Sequence, residues 1–250
     1  MTTLAQYLMA VTNAQSLEEL WDMHTRRMAE YGFDRLLYGY TNFRTSNSLG
    51  DPADFVVLSN HDRRYIREYI DNGLYFHAPM TQWALENEGS CSWSRVHSLS
   101  SSGALTEPQW KVVRFNQSFQ VNAGYSISFR AISSRAKGAI GLTARSDMTQ
   151  QDADAIWDTH GMDILVMNNV AHLKITSLPY SSPHRSLTAR QREVLEWVGD
   201  GKTTRDIATV LGISRAMVEK HLRLARQSLG VETTTQAVLK AALHNQMYVL

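Results

Sequence analysis

The chain reads as α+β, an α-β-α sandwich built on an antiparallel sheet, followed by a separate all-α domain of four helices. Three observations predict this. Every segment with strand character falls before residue 147, with helical periodicity before, between and after the strands. Beyond residue 186 the apolar spacing is helical throughout. Between the two, Ser177–Ser186 (SLPYSSPHRS) carries two prolines and four serines where apolar periodicity would otherwise run. The 250 residues also exceed the usual single-domain size. The expected division is 1–176, a linker over 177–186, and 187–250.

In the first domain Ser16 caps a helix running to about Glu30, with Leu17, Leu20, Met23, Met28 and Ala29 available for its inner side. Asp34–Phe43 and Asp54–Asn60 read as strands, with a Gly-Asp-Pro turn at Gly50–Pro52 between them. A helix is expected over Asp62–Asn72, a short one opening at Pro79, and another over Glu107–Val121. Gly124–Ile132 and Gly138–Ser146 form a hairpin joined by Ser133–Lys137. An amphipathic helix from Thr149 towards Lys174 closes the domain.

The second domain is punctuated by caps. Thr188, three residues before Gln191, makes a capping box that starts a helix near Ala189. Val194, Leu195 and Val198 share one face of it, and Gly199–Gly201 end it. A second helix starts at Thr203 or Thr204, with Asp206 in its first turn, where a negative charge suits the helix dipole. It buries Ile207, Ala208 and Leu211. Gly212 supplies a turn, and Ser214 caps a third helix whose Val218, Leu222, Ala225 and Leu229 form the inner stripe. The outer face of that helix carries Arg215, Glu219, Lys220, Arg223 and Arg226, a net charge of +3. A short helix, a glycine turn and a longer basic helix are the pattern of a helix-turn-helix that enters a DNA major groove. The plainer alternative is a solvated charged face on a three-helix bundle. A fourth helix enters at Thr233, with Gln236 completing its capping box, and Ala237, Leu239, Ala241 and Ala242 offer a dimer contact.

Charge divides with the domains. Residues 187–250 hold nine Lys/Arg against six Asp/Glu, whereas 1–176 hold fifteen against eighteen, so the overall +1 conceals a basic module and a mildly acidic one. Cys91 is the single cysteine, which excludes an internal disulfide and a cysteine-based zinc site. No metal or cofactor is expected: the histidines lack H-E-x-x-H spacing, and neither G-x-S-x-G nor a Gly-rich phosphate loop occurs. An enzyme is not expected either. With no run approaching 18 apolar residues and no basic residue before Arg26, the reading is a cytoplasmic protein with no membrane partner.

From Leu187 to Val231 the residues closely resemble the DNA-binding domain of LuxR/FixJ (GerE-type) transcription factors, through GKT, IA, LGIS, the V-x-K-H core and the L-G-V exit. The resemblance implies base contacts from Glu219, Lys220 and Arg223, with Arg215, Ala216 and Arg226 on the same helix. It implies phosphate contacts from Lys202 and Thr203, with Thr204 beside them. Two residues stand out. Gln191 replaces the family's usual glutamate, and Glu219 repels phosphate while being able to accept from a base such as cytosine N4. Double-stranded DNA with an inverted-repeat operator, bound by a homodimer, is the partner this implies.

The first domain resembles, less tightly, the autoinducer-binding domain of quorum-sensing LuxR regulators. In that family a Trp, a Tyr four residues on, an Asp-Pro pair nine later and a Trp fifteen after the Asp line the pocket for an N-acyl homoserine lactone. Registered on Pro79, those positions fall on Tyr65, Tyr69, Ala78 and Trp93, the family's carbonyl-binding tyrosine falls on His61, and a family glycine falls on Gly124. Met80 and Tyr38 join this ligand set. Ser126 and Ser128, two apart on one strand, either offer a hydroxyl to a ligand or reflect strand polarity alone. Ala78 is the main departure, because a methyl group cannot accept from the lactone's amide N–H, and an unpaired buried amide costs about 1–3 kcal/mol. His77 is either a substitute acceptor or a solvent-exposed histidine at a helix entry. The expected function is therefore a DNA-binding transcriptional regulator controlled by a small signal, an acyl-homoserine lactone or a different small apolar or aromatic molecule. The alternative is a ligand-independent dimeric regulator whose first domain is a scaffold filled by its own aromatics.

Overall fold

The computed structural model describes residues 3–45, 48–131, 133–180 and 185–248. It divides into two compact units, Met1–Thr176 and Ser177–Leu250. Of the expected linker, residues 181–184 lie outside the described residues.

The first unit opens with a helix the sequence reading did not include. Thr3 and Gln6 form a capping box for α1 (Leu4–Asn13), and Ser16 then caps α2 (Leu17–Glu30) by accepting from the Glu19 N–H. The sheet consists of β1 (Phe33–Thr41), β2 (Val56–Ser59), β3 (Gly89–Ser92), β4 (Gly124–Ser128) and β5 (Lys137–Ala144). Its order is β2-β1-β5-β4-β3 and every pairing is antiparallel. The expected hairpin is β4 and β5, paired through Ser126 and Gly141, with β4 ending four residues early on the loop side and β5 ending two residues early at its outer end. Ile132, at the expected end of the first of them, lies outside the described residues.

Helices cover both faces, as the sequence predicts. On one side are α1, α2 and the long α7 (Gln150–Ser177). The Tyr7 hydroxyl lies 2.6 Å from His24 Nδ1, and His24 Nε2 lies 3.0 Å from Asn168 Oδ1, tying these three helices together. Trp157 of α7 stacks on Tyr125, and His172 stacks on Phe129, at centroid separations of 4.0 and 4.1 Å. On the other side lie α3 (Arg63–Ile66), α4 (Pro79–Glu86), α5 (Ser94–Ser101) and α6 (Glu107–Ser118).

Two features of that side depart from expectation. The helix expected over Asp62–Asn72 is α-helical only to Ile66 and then widens into a π-helical turn, Arg67–Asp71. Strand β3 and helix α5 were not expected, because GSCS and SRVHSLSS carry neither strand nor helix periodicity. Tertiary context makes them: Cys91 pairs with Ser126 at the sheet edge, and the Trp93 N–H donates to the Gly124 carbonyl at 3.1 Å.

The second unit holds α8 (Ala189–Gly199), α9 (Thr204–Leu211), α10 (Arg215–Leu229) and α11 (Thr234–Leu243). Thr188 with Gln191, Thr203 with Asp206, and Thr233 with Gln236 each form a capping box. The Ser214 hydroxyl accepts from the Met217 N–H. Gly212 and Gly230 end α9 and α10 in left-handed conformation, at φ of 63° and 62°. Val194, Leu195, Ile207, Val218, Leu222, Ala225, Leu229, Ala237 and Ala241 make one core. Ala237 and Ala241, expected at a dimer contact, therefore face inward, while Leu239 and Leu243 stay exposed. Among the described residues no helix is long and apolar enough to cross a membrane.

Candidate functional site

Strand alternation builds the first candidate site. Along β1, Tyr38 and Tyr40 turn towards α7, where both rings contact His172. Leu37, Gly39 and Thr41 then take the opposite face, opposite Gly141, Ala139 and Lys137 of β5 in the register. This face is built from small residues, Gly39, Ala139, Gly141 and Ser126, which leave open the space that larger side chains would fill beneath the helices above. A Cβ added at Gly39 would meet nothing within 4 Å. The result is a cavity of about 560 Å³ between the sheet and α3–α6, within the range of small-molecule sites.

The opposing wall is aromatic. Tyr65 stacks between His61 and Tyr69 at centroid distances of 4.6 and 5.3 Å, and Phe115 stacks on Tyr65 at 5.2 Å. The Tyr65 hydroxyl donates to Asn116 Oδ1 at 3.1 Å. The Trp93 Nε1–H donates to Ser126 Oγ at 2.9 Å, fixing the indole across the sheet face. Gly124 lies beneath this indole: a Cβ there would come within 2.1 Å of the Leu142 carbonyl oxygen. Burial lowers His61 to about 4, with the Arg35 charge adding to the effect, so its ring is neutral at pH 7. Burial raises the Tyr65 and Tyr69 hydroxyls, so they act as neutral donors and acceptors.

The cavity brings together His61, Tyr65, Tyr69, Ala78, Met80, Trp93 and Ser126. Tyr38 also borders it, but its ring lies on the other face of the sheet, with its hydroxyl 2.9 Å from His172 Nδ1. Two expected residues stand elsewhere. His77 is exposed, with its ring at the edge of Phe76, in keeping with the helix-entry alternative. Ser128 is buried and its hydroxyl is spent on the carbonyls of Ala84 and Asn87, at 2.8 and 2.6 Å. Ala78 is 3% exposed and occupies the N-cap of α4, where no side chain caps the helix. Among the described residues lining the cavity there is no Asp or Glu.

Several lining residues escaped the sequence reading: the floor at Gly39, Ala139 and Gly141, the polar side chains Asn116 and Thr81, and Lys137. The alternation of β1 and β5 signals the floor once the register is known. Nothing local signals Asn116, which reaches Tyr65 from α6, 51 positions away.

The second candidate site is the outer face of α10. Arg215, Ala216, Glu219, Lys220 and Arg223 are all exposed there, along a helix of about 22 Å. Arg223 leans on Gln227 at 3.3 Å and is otherwise extended to solvent. Arg226 differs: half-buried, it donates to Thr234 Oγ1 at 3.0 Å and so braces α11 against α10. Lys202 is exposed before α9. The Thr203 hydroxyl is committed to Asp206, donating at 2.6 Å while accepting the Asp206 N–H at 3.3 Å, and Thr204 is half-buried. Of the three residues expected at this end of the surface, that leaves Lys202 with an uncommitted charge.

Residues 16–175 match the autoinducer binding domain family, and residues 185–241 match the bacterial regulatory proteins of the luxR family. The transcriptional activator protein AnoR of Acinetobacter nosocomialis is 23% identical over 228 residues, covering 90% of this chain and 91% of its own length. The transcriptional activator protein LuxR of Aliivibrio fischeri is 20% identical over 191 residues, covering 76% and 74%. Among solved structures, SdiA in complex with octanoyl-rac-glycerol superposes with a TM-score of 0.54 at 14% identity, covering 96% of this chain and 93% of that one. The N-acylhomoserine lactone dependent factor CepR2 from Burkholderia cenocepacia gives 0.52 at 20% identity, covering 68% and 92%. The two structures carry the fold.

Proposed function

Given that the chain belongs to the LuxR family of bacterial transcriptional regulators, an autoinducer-binding domain joined to a DNA-binding domain, we propose that the cavity of its first unit is the signal site and the outer face of α10 reads DNA. The observation that carries this reading is the cavity itself. The aromatics His61, Tyr65, Tyr69 and Trp93 stack around a space and do not fill it, which favours a sensor over a self-filled scaffold. The signal held there differs from a standard acyl-homoserine lactone in lacking an amide N–H to be accepted, because the Ala78 side chain has no acceptor and no carboxylate lines the cavity among the described residues. The SdiA structure, solved with an octanoyl glycerol, contains a ligand with no amide N–H.

On the DNA side, two copies of the chain would set Lys220 and Arg223 into successive major-groove faces of an inverted repeat, with half-sites about 10 base pairs apart. Lys202 would contribute sequence-independent phosphate affinity. Ligand burial in the cavity would favour one arrangement of the dimer and hence one spacing of the α10 helices. Native mass spectrometry of the full chain purified from its own host tests the sensor reading. A small molecule bound at one per chain, whose removal changes operator affinity, is expected. A ligand-free protein with unchanged operator affinity would sink it.

A further inference from the structure

The two ends of the cavity differ in charge. At one end the Trp93–Ser126 pair sits over Gly141. Four residues along β5, about 13 Å away at roughly 3.3 Å per residue, the strand begins with Lys137, which borders the cavity and is 9% exposed. Its Nζ donates to the Asn87 carbonyl at 3.1 Å, an oxygen that already accepts from Ser128. Among the described residues the remaining ammonium hydrogens have no hydrogen-bond partner and no carboxylate comes within ion-pair distance. Lys137 is also the one Lys or Arg among the described residues bordering the cavity. Lys137 and its acceptor residue Asn87 also border a second, more open depression that holds Arg44, Glu86 and Glu88, and the Arg44 and Glu88 charges act on the ammonium in opposite senses. Thr41, its partner in the register, donates its hydroxyl to the Leu49 carbonyl and accepts the Phe43 N–H, both at 3.0 Å, so its hydroxyl is engaged within its own loop.

A cation nine-tenths removed from water with one neutral acceptor is poorly compensated. A charge-assisted hydrogen bond from an arriving anion would correct this. We propose that the signal is an elongated, largely apolar molecule whose far terminus is a carboxylate, received by Lys137, while its uncharged head lies against Trp93, Ser126 and Ala78. The inference rests on reading the cavity as the signal site. It adds a chemical class that the departure at Ala78 leaves open: that position removes an amide, whereas Lys137 calls for an acid at the other end.

A matched pair of probes tests it: dodecanedioic acid monomethyl ester, which carries one carboxylate, and the dimethyl ester, which carries none. Titrated calorimetrically into the full-length protein at pH 7, the monoester is expected to bind at least about tenfold tighter. Lys137→Met is expected to abolish that preference, and Lys137→Arg to retain it. Equal affinity of the two probes for the unaltered protein overturns the proposal while leaving the cavity reading intact, as does a preference that survives Lys137→Met. The comparison on the unaltered protein decides even if Lys137→Met fails to fold. If neither probe binds, the cavity reading fails and the Lys137 proposal goes with it.

Discussion

Gly39→Val tests the cavity without touching its polar groups. The position is paired on both sides in β1, with Val57 and Ala139, and a new Cβ there has nothing within 4 Å. Replacing glycine removes backbone freedom from the unfolded chain, worth about 0.5–1 kcal/mol, and valine suits a strand. For a unit of this size that is an increase of about 1–4 °C in Tm. The added carbons occupy room a ligand would fill. At about 0.8 kcal/mol per buried methylene, excluding two or three ligand carbons costs about 2 kcal/mol, or roughly thirtyfold in affinity. Thermal melting of the free protein, followed by titration with its signal, reads both effects. The two should move in opposite directions. A lowered Tm would mean the space beside Gly39 is filled, and an unchanged affinity would mean the signal does not rest on the sheet. Gly124→Ala is the internal contrast: the same added methyl meets the Leu142 carbonyl at 2.1 Å and is expected to destabilise the protein strongly.

Ala78→Asp is expected to raise affinity for N-acyl homoserine lactones about five- to thirtyfold by supplying the missing acceptor. The same carboxylate can cap α4, so the fold is expected to tolerate it; no gain in lactone binding would count against the register that places this residue. Arg223→Ala is expected to cost about 1–3 kcal/mol on the operator and relax specificity, while Lys202→Ala weakens all sequences alike and lowers the salt slope. Mobility-shift titrations on operator and random DNA separate the two, and equal losses for Arg223→Ala on both would remove it from base reading. Burial holds His24, His61 and His172 near 4, against 6.5 in the unfolded chain. Between those values the unfolded chain takes up protons that the folded chain refuses. Stability is therefore full above about pH 6.5 and falls towards pH 4, by up to about 1.4 kcal/mol per pH unit for each histidine. Urea melts at pH 7 and pH 5 that give equal stability would contradict this.

The second unit was almost wholly legible because its helix ends are written locally. Thr188, Thr203, Ser214 and Thr233 each cap within three residues, and Gly212 and Gly230 supply the left-handed exits. The first unit was legible where periodicity spoke. It missed α1, although Thr3 and Gln6 spell the same box, and it missed β3 and α5, whose serine-rich segments are held by contacts from afar. At the candidate site, the family resemblance registered on Pro79 named His61, Tyr65, Tyr69 and Trp93, but nothing in the sequence said which face each strand residue takes. Tyr38 and Ser128 look equivalent to Leu37 and Ser126 until the pairing register and the carbonyls of Ala84 and Asn87 are known. Arg226 looked like part of the basic face because nothing in α10 announces that Thr234 will claim it.

If the cavity is the signal site, the floor of small residues on β1, β4 and β5 leaves signal preference free to drift. The ladder that holds these strands runs through the backbone, so it is indifferent to whether a position carries hydrogen, methyl or isopropyl. A lineage can shorten or reshape the chamber one carbon at a time at Gly39, Ala139 or Gly141 while the sheet keeps its register. New chemical dialects can thus be acquired by a receptor without rebuilding the apparatus that answers them.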